Sequence, residues 1–457
     1  MIKFGTDGWR AIIDKDFTEE NVKRTSLAIG KYIYETYGFD KLVLIGYDPR
    51  NKAREFAEFC AETLVKKGFN VKISKRVIPT PVLAYNAKLQ NASAIMFTAS
   101  HNPSDYLGMK YIPDYAGPAT SEITDSIVAN IDKDYDAGDM GSLEYVDFAE
   151  EYYVHLEKLI DFNKIKTLNK NLIFDGLYSA SIGYFDYLLD KYGIKYESLH
   201  MFHDVNFGGG MPDPKPKYLC DLIEKVKTTP NSIGMANDGD ADRFGVINEN
   251  GDFVSPNEII AILLKYLAQK GLKGSVVKTV GSSLLIDNVA KHLNINVIET
   301  AVGFKHVGEA MRINDVIIGG EESGGLSMLG HIPEKDGLIA NLLILEAMAD
   351  SGKSLVELQK EICEIGGIYY TDRIDLKKSD SEEIKEVLNV FKDLDAIGNF
   401  IISEKDFKDG VKLMLGVKSK MLVRPSGTEP LLRIYFESDS VEKLEVLKQE
   451  TKKILNI

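Results

Sequence analysis

The chain has 457 residues and a formal net charge of −14, with 44% hydrophobic and 27% charged residues, as in ordinary soluble globular proteins. The acidic balance argues against nucleic-acid binding, which needs a basic face. No apolar run is long enough to span a membrane, "MIKFGTDGWR" lacks the features of a secretory signal, and the three cysteines form no CxxC pair. The sequence therefore predicts a cytoplasmic protein with no membrane or nucleic-acid partner, no disulfide framework and no zinc site.

Short apolar stretches alternate with amphipathic stretches along most of the chain. The predicted strands cover residues 41–48, 92–100, 171–176, 232–238, 274–280, 296–302 and 315–323. Helices are predicted between most of them, for example at 54–68 and 257–271. This alternation is typical of α/β domains with mainly parallel sheets.

Domain boundaries are predicted where this pattern is interrupted. An acidic, glycine-containing stretch precedes a new helix near residue 148, Asn250-Gly251 is a hairpin signal, and the alternation changes after about residue 365. We predict three consecutive α/β domains with mixed, mainly parallel sheets, followed by a smaller C-terminal α+β domain. The predicted domains span residues 1–147, 148–253, 254–367 and 368–457.

The first loop with candidate chemistry is "TASHNPSD", in which Ser100 is followed by His101. A hydrolase nucleophile elbow needs glycine two residues on either side of the serine, and Thr98 and Asn102 occupy those positions. A polar turn is the alternative interpretation. Lys110, ten residues further on, could return a cation to the same place.

The second loop is "NDGDADRFG", where Asp238, Asp240 and Asp242 alternate and Arg243 follows. Three carboxylates at this spacing suit Mg²⁺ or Ca²⁺, and the guanidinium beside them suits an anionic partner. An EF-hand is disfavoured because Arg243 stands where its loop needs glycine and because the flanking segments are predicted strands. An acidic turn without a metal is the other alternative.

The third loop is "GGEESGG", in which Glu321 and Ser323 offer polar groups suited to sugar hydroxyls. Its alternative is a glycine-rich turn with solvated glutamates.

The fourth loop is "RPSGTEP", in which Arg424, Ser426, Gly427 and Thr428 could form a phosphate-binding nest. The alternative is a hairpin turn that carries polar side chains without a binding role. Arg10, which ends "FGTDGWR", and Lys278, at the end of a predicted strand, are further candidate cations.

Taken together, a serine, a carboxylate triplet, a polyol-binding loop and a phosphate nest indicate metal-assisted phosphoryl transfer on a phosphorylated polyol. The serine could carry the phosphoryl group covalently. No GxxxxGK[ST] motif is present, so a P-loop nucleotide donor is not indicated.

The four loops, in this order and spacing, resemble those of the α-D-phosphohexomutase superfamily over essentially the whole chain. "TASHNP" resembles its phosphoserine loop, "DGDADR" its metal loop, "GEESGG" its sugar-specificity loop and "RPSGTEP" its phosphate-binding loop. The resemblance implies four domains around a central cleft. It also implies interconversion of hexose 1-phosphate and hexose 6-phosphate through a phosphoserine and a 1,6-bisphosphate.

The resemblance assigns roles to the candidate residues. One Mg²⁺ per site would be held by Asp238, Asp240, Asp242 and the phosphoserine oxygen of Ser100, with glucose 1,6-bisphosphate as activator and intermediate. The candidate catalytic residues are Ser100, His101, Lys110 and Arg10. The candidate substrate-binding residues are Arg243, Lys278, Glu321, Ser323, Lys335, Arg424, Ser426, Gly427 and Thr428.

The sugar is predicted from the third loop and from "HIPEKDG", which look most like those of phosphoglucomutases. Lys335 matches a lysine of the glucose-type enzymes, whereas Gly325 departs from the histidine that dual-specificity relatives often carry. A phosphorylated glucose is therefore predicted first, mannose second and glucosamine third. A metal-dependent phosphatase and an inactive sugar-phosphate-binding homologue are the alternatives from other classes, and the oligomeric state is left open.

Overall fold

The computed structural model describes residues 2–5, 7–377, 380–426 and 431–457, and within these ranges the chain forms four β-sheets. No helix in this part of the chain combines the length and apolar character needed to cross a membrane.

The first sheet has six strands in the order β1-β5-β4-β2-β3-β6. The four strands from β4 to β6 in this order are parallel, and β1 and β5 are antiparallel to their neighbours. The strands are β1 (Trp9–Ile12), β2 (Val43–Tyr47), β3 (Val71–Ser74), β4 (Ser93–Phe97), β5 (Tyr106–Ile112) and β6 (Leu143–Val146). The helices are α1 (Glu19–Tyr37), α2 (Ala53–Lys67), α3 (Thr80–Leu89) and α4 (Ser121–Ala129).

The second sheet has the order β11-β10-β9-β7-β8, with a parallel centre and an antiparallel hairpin at one edge. Its strands are β7 (Asn171–Asp175), β8 (Tyr196–Leu199), β9 (Ser232–Asn237), β10 (Phe244–Ile247) and β11 (Phe253–Val254). The helices of this region are α5 (Ala149–Leu159), α6 (Phe162–Ile165), α7 (Phe185–Tyr192) and α8 (Cys220–Thr228). Gly251 has a φ of 79° in the hairpin, a conformation that glycine adopts without strain.

The third sheet has the order β13-β12-β14-β15, of which the last strand is antiparallel. Its strands are β12 (Ser275–Thr279), β13 (Val297–Thr300), β14 (Val316–Glu321) and β15 (Gly325–Met328). The helices are α9 (Pro256–Gln269), α10 (Leu284–His292), α11 (Phe304–Ile313), α12 (Gly337–Ser351) and α13 (Leu355–Gly366). Helix α9 begins where Ser255 and Glu258 form a capping box that satisfies its first amide groups.

The fourth sheet is antiparallel throughout, in the order β16-β21-β20-β19-β18-β17. Its strands are β16 (Tyr370–Lys377), β17 (Ala396–Ile397), β18 (Phe400–Asp406), β19 (Val411–Leu415), β20 (Ser419–Pro425) and β21 (Leu431–Ser438). Helices α14 (Ser381–Asp393) and α15 (Val441–Leu455) pack on it. Its hydrophobic core is separate from the clusters of the first three sheets.

The predicted fold class is confirmed: three α/β units with mixed sheets precede a smaller α+β unit. Two of the predicted boundaries, after residues 147 and 367, fall between sheets, and the boundary after residue 253 falls within β11. The four motif loops all follow strands, as β4, β9, β14 and β20 end just before them or at their first residues. The fold therefore puts each motif at a strand end. For the first three motifs, this is the end of a parallel strand, where ligands bind in α/β folds.

Candidate active site

Ser100 lies in the turn after β4, is 1% exposed and has a left-handed φ of 51°. Its Oγ donates a hydrogen bond to Asp238 Oδ2 at 2.7 Å, which joins the first sheet to the second. His101 Nδ1 lies 3.3 Å from the same Oγ, so these adjacent side chains do meet. Gly239 makes this approach feasible, because a Cβ there would stand 2.5 Å from the Ser100 carbonyl oxygen.

The three aspartates after β9 are fully buried, and one carboxylate oxygen from each lies within 4.8 Å of the others. The Oδ1 atoms of Asp240 and Asp242 are buried and have no hydrogen-bond partner among the described residues. Burial and the neighbouring carboxylates raise the pKa of Asp238 well above its usual value. Burial also raises the pKa of Asp240, but Lys110 and Thr80 outweigh it and lower that pKa to about 2. This arrangement fits a hard divalent cation, which would give the buried oxygens a partner.

Lys110 brings its ammonium group into the carboxylate cluster from β5. Its Nζ lies 2.9 Å from Asp240 Oδ2, 3.0 Å from Asp242 Oδ2 and 2.8 Å from Asp7 Oδ2. Burial lowers the pKa of Lys110, but the three carboxylates outweigh it and raise the pKa well above its usual value. Lys110 is therefore a fixed positive charge in this arrangement.

Asp7 also lies at this site, although the pattern of "FGTDGWR" indicates only Arg10 as a candidate residue. Its Oδ2 lies 3.5 Å from Arg10 Nη2 and 3.6 Å from Lys335 Nζ, in addition to its contact with Lys110. Burial raises the pKa of Asp7, but Lys110 and Lys335 hold it well below its usual value. A lone aspartate in a glycine-rich turn carries no sequence signal beyond turn formation.

Arg10 and Lys110 are brought together because β1 pairs with β5, with Arg10 opposite Gly108. Arg10 Nη1 donates to Asn102 Oδ1 at 2.6 Å, which places the guanidinium beside the Ser100 turn.

Arg243, Glu321 and Ser323 lie where the second and third motif loops meet. Phe244 N donates to Gly324 O at 3.1 Å, and Ser323 Oγ donates to Glu321 Oε1 at 2.6 Å. Arg243 Nε is buried without a hydrogen-bond partner among the described residues, 3.9 Å from Asp242 Oδ1. Burial raises the pKa of Glu321.

Lys335 reaches the aspartate cluster from the segment before α12, with its Nζ 3.2 Å from Asp242 Oδ2. A Cβ at residue 325 would stand 2.4 Å from the Lys335 side chain, so Gly325 leaves room for the lysine stem. Burial raises the pKa of the adjacent Glu334 to about 7.

The fourth loop is described in part. Arg424 Nε donates to Asp409 Oδ2 at 2.9 Å, and Ser426 N donates to Leu431 O at 2.8 Å. Gly427 and Thr428 lie outside the described residues.

Lys278 is fully buried but is held by a different group of charges. It pairs with Asp287, and its Nζ lies 3.4 Å from Glu299 Oε2. Asp287 lies on α10, and Glu299 lies on β13, the strand that pairs with β12. The structure thus brings Ser100, His101, Arg10, Lys110, Arg243, Lys335 and the three aspartates together, and it places Lys278 in the network between the third and fourth sheets.

Comparison with known proteins gives matches along nearly the whole chain. The models of the phosphoglucomutase/phosphomannomutase alpha/beta/alpha domains I, II and III match residues 1–137, 150–251 and 255–365. The model of the C-terminal domain matches residues 374–454.

Individual relatives also match nearly the whole chain. The chain is 29% identical over 446 residues to a phosphoglucomutase/phosphomannomutase of Thermococcus kodakarensis, covering 96% of this chain and 95% of the relative. It is 30% identical over 448 residues to a phosphoglucosamine mutase of Listeria welshimeri, covering 96% and 95%. A crystal structure from Thermus thermophilus, provisionally named a phosphomannomutase, has a TM-score of 0.88 and 31% identity, covering 100% of this chain and 99% of that one.

The chain belongs to the phosphoglucomutase/phosphomannomutase family, within the α-D-phosphohexomutase superfamily. Its activity is that of an intramolecular phosphotransferase, an isomerase that acts on hexose phosphates.

Proposed function

We propose that the chain interconverts hexose 1-phosphate and hexose 6-phosphate through a phosphoserine at Ser100 and a 1,6-bisphosphate intermediate. The observation that carries this proposal is the 2.7 Å hydrogen bond from Ser100 Oγ to Asp238 Oδ2. It joins a buried serine oxygen to a carboxylate cluster suited to a divalent cation. A serine in this setting is suited to carry a phosphoryl group.

The metal in this proposal is Mg²⁺, held by Asp238, Asp240, Asp242 and an oxygen of the phosphorylated Ser100. The Oδ1 atoms of Asp240 and Asp242 support it, since they have no hydrogen-bond partner in the part of the chain that the structure describes and buried carboxylate oxygens need one. When bound, Mg²⁺ neutralises charge on the oxygens of the transferring group. The chain's own residues then orient the sugar and move its proton.

In the first transfer, the bond from phosphorus to Ser100 Oγ breaks and a bond from phosphorus to a sugar hydroxyl oxygen forms. The hydroxyl proton passes to a basic group of the site. Ser100 Oγ takes up a proton once its bond to phosphorus has broken. We assign proton transfer to His101 and charge neutralisation to Lys110 and Arg10, all three of which lie beside the serine turn. The bisphosphate then reorients in the cleft, and the second transfer returns its other phosphoryl group to Ser100.

Binding of the sugar and of the phosphate that does not react falls to the other loops. We assign the sugar hydroxyls to Glu321 and Ser323 and the phosphate to Arg424 and Ser426. Arg243, which lies beside Asp242, is assigned to the substrate as well. Gly427, Thr428 and Lys278 are carried in the proposal by their sequence pattern alone.

Glucose phosphate is the substrate we propose first, because Lys335 and the "GEESGG" loop match the glucose-type enzymes. Mannose phosphate is the second candidate, since the Thermococcus kodakarensis relative is named a phosphoglucomutase/phosphomannomutase. Glucosamine phosphate is the third, since the Listeria welshimeri relative is named a phosphoglucosamine mutase. Glucose 1,6-bisphosphate is the proposed activator.

The deciding experiment supplies glucose, mannose and glucosamine 1-phosphates in turn, with Mg²⁺ and the matching 1,6-bisphosphate, and follows each 6-phosphate. We expect the largest kcat/KM for glucose 1-phosphate and no net release of inorganic phosphate. A larger kcat/KM for mannose 1-phosphate would move the substrate to the second candidate, and a larger kcat/KM for glucosamine 1-phosphate would move it to the third. Stoichiometric phosphate release would replace the mutase with a phosphatase.

The variant Ser100→Ala tests the covalent step. We expect it to lose at least about 10³-fold in kcat, in line with removal of a covalent nucleophile. The variant should remain folded, with a modestly lower unfolding temperature because Asp238 loses a buried hydrogen bond. Ser104→Ala, four residues further along the same loop, is the matched control and should retain activity. Turnover of Ser100→Ala at the rate of the control would refute the phosphoserine.

A further inference from the structure

Arg50 is a buried arginine in the loop that follows β2, and its side chain is fully shielded from solvent. Strand β2 is the parallel neighbour of β4, so the loops after the two strands lie side by side. Arg50 therefore lies directly against the turn that carries Ser100. No sequence pattern singles it out, because "YDPRN" has the composition of an ordinary turn.

The guanidinium of Arg50 is fully hydrogen-bonded, mostly to backbone oxygens of the Ser100 loop. Four N–H groups donate to backbone carbonyl oxygens, three in the loop and one at the start of β5: Ser100 (2.6 Å), Asn102 (2.7 Å), Pro103 (2.6 Å) and Tyr106 (3.0 Å). The fifth, Nε, donates to Asp48 Oδ2 at 3.1 Å. An arginine has five N–H donors and a lysine has three, so only arginine can make this set of bonds.

Asp48 connects the same guanidinium to the other side of the serine. Its Oδ2 accepts from Thr98 Oγ1 at 2.6 Å, and Thr98 Oγ1 accepts from Ser100 N at 2.8 Å. Arg50 thus holds the carbonyl of Ser100 directly and its amide through Asp48 and Thr98. Both backbone groups of a residue with a φ of 51° are fixed, in a conformation that a non-glycine residue adopts only when its surroundings impose it.

We propose that Arg50 is the positioning residue for the nucleophile, and that it holds the Ser100 turn so that Oγ stays beside Asp238. The proposal rests on the proposed role of Ser100 as the phosphoryl carrier. Arg50 donates to backbone oxygens and to Asp48, and it has no donor left for substrate, so it acts on the rate of transfer rather than on binding.

The first test is Arg50→Lys, which keeps the charge but cannot bond all four carbonyls. We expect kcat to fall about 100-fold, since a misplacement of about 1 Å costs that much, with KM for the sugar phosphate within about twofold of wild type. Amide hydrogen exchange of residues 98–106 should become faster in the same variant. Arg54→Lys, in which the arginine is 61% exposed and pairs with Glu58, is the control and should match wild type in all three measurements.

The second variant, Thr98→Val, removes the hydroxyl that links Asp48 to Ser100 N and keeps the side-chain shape. It should also lower kcat at unchanged KM and speed exchange of the Ser100 amide. A folded variant of either kind with wild-type kcat and wild-type amide exchange would overturn the proposal. Global unfolding of both variants would also overturn it, because Arg50 would then serve only the stability of the fold. If the wild-type protein does not isomerise sugar phosphates, the proposed function is overturned. The change in amide hydrogen exchange between wild type and Arg50→Lys then decides on its own whether Arg50 holds the Ser100 turn.

Discussion

Lys110 balances the charge of the carboxylates that surround it. Its Nζ lies within 3.0 Å of Asp7, Asp240 and Asp242, and its side chain is 3% exposed. Buried carboxylates without a partner are costly, so the lysine stabilises the site before any metal binds.

We expect Lys110→Met to lower the free energy of unfolding of the metal-free protein by about 3–5 kcal/mol, because buried carboxylates lose their cation. Mg²⁺ should restore part of this loss. The measurement is urea unfolding with and without Mg²⁺. Lys72→Met, in which the lysine donates to the neutral Gln90, is the control, and an equal loss in both variants would contradict the account.

Removal of a metal ligand tests the aspartate cluster directly. At a free Mg²⁺ concentration 100-fold above Kd, binding to the folded state should add about 2.7 kcal/mol of stability. Asp242→Asn should abolish this gain, because it replaces one of the three carboxylates, whereas the exposed Asp125→Asn should keep it. Thermal unfolding in Mg²⁺ and in EDTA measures both, and a full gain in Asp242→Asn would exclude Mg²⁺ at this cluster.

Among the site residues, the sequence predicted those that lie in a distinctive motif. It did not predict the residues that hold these motif residues in place. Ser100 and the alternating aspartates occur in unusual motifs, and the structure brings them into contact. Asp7 and Arg50 act through backbone and charge contacts between segments far apart in sequence. Because no local pattern encodes such contacts, they became visible only with the fold.

Among the elements, the start of α12 connects the site to the helices of the second sheet. Asp336 caps α12 by accepting from the amides of Leu338 and Ile339 at 2.9 and 3.1 Å. Its other oxygen accepts from Tyr152 at 2.6 Å and lies 2.9 Å from His331 Nε2. The cap thereby fixes the segment that carries Lys335.

His155 extends this network, since its Nε2 lies 2.9 Å from His331 Nδ1. Burial, together with the adjacent His331, lowers the pKa of His155 from its usual value to about 4. Between about pH 6.5 and pH 4 the unfolded chain therefore binds a proton that the folded chain does not, and stability falls as the pH falls.

We expect His155→Gln to reduce this loss of stability, because the variant has no imidazole to protonate. Urea unfolding at pH 7 and pH 4.5 measures the difference for wild type and variant. His292→Gln, at an exposed histidine of α10, should leave the difference unchanged. Equal losses in wild type and His155→Gln would contradict the assignment.

The prediction of helices and strands succeeded where the hydrophobic periodicity and the turn-forming residues agreed. The predicted strand at 232–238 is β9, and the predicted helix at 54–68 is α2, which ends at Gly68 with a φ of 115°. Lys278 illustrates the limit, because the groups that face a strand residue are set by tertiary structure. Its partners are Asp287 of α10 and Glu299 of β13.

For the whole molecule, the fourth sheet is joined to the third mainly by charged and polar groups. Its hydrophobic core is separate from the others. Glu437, which is 1% exposed, accepts from Ser283 Oγ and from Leu284 N at the start of α10, and its Oε2 lies 3.4 Å from Lys420 Nζ. The four-domain order was predicted from the sequence, but this polar contact surface was not, since it joins residues 154 positions apart.

We expect Glu437→Gln to weaken this contact by about 3 kcal/mol, because buried Lys420 loses its carboxylate and the amides of α10 lose a charged acceptor. A calorimetric scan should show the C-terminal domain unfolding at a lower temperature, with the transition of the remaining domains unchanged. Because Arg424 lies on the same sheet, KM for the sugar phosphate should rise more than kcat falls. Glu404→Gln, at an exposed position on β18, is the matched control, and identical scans for the two variants would refute a role for Glu437 in joining the domains.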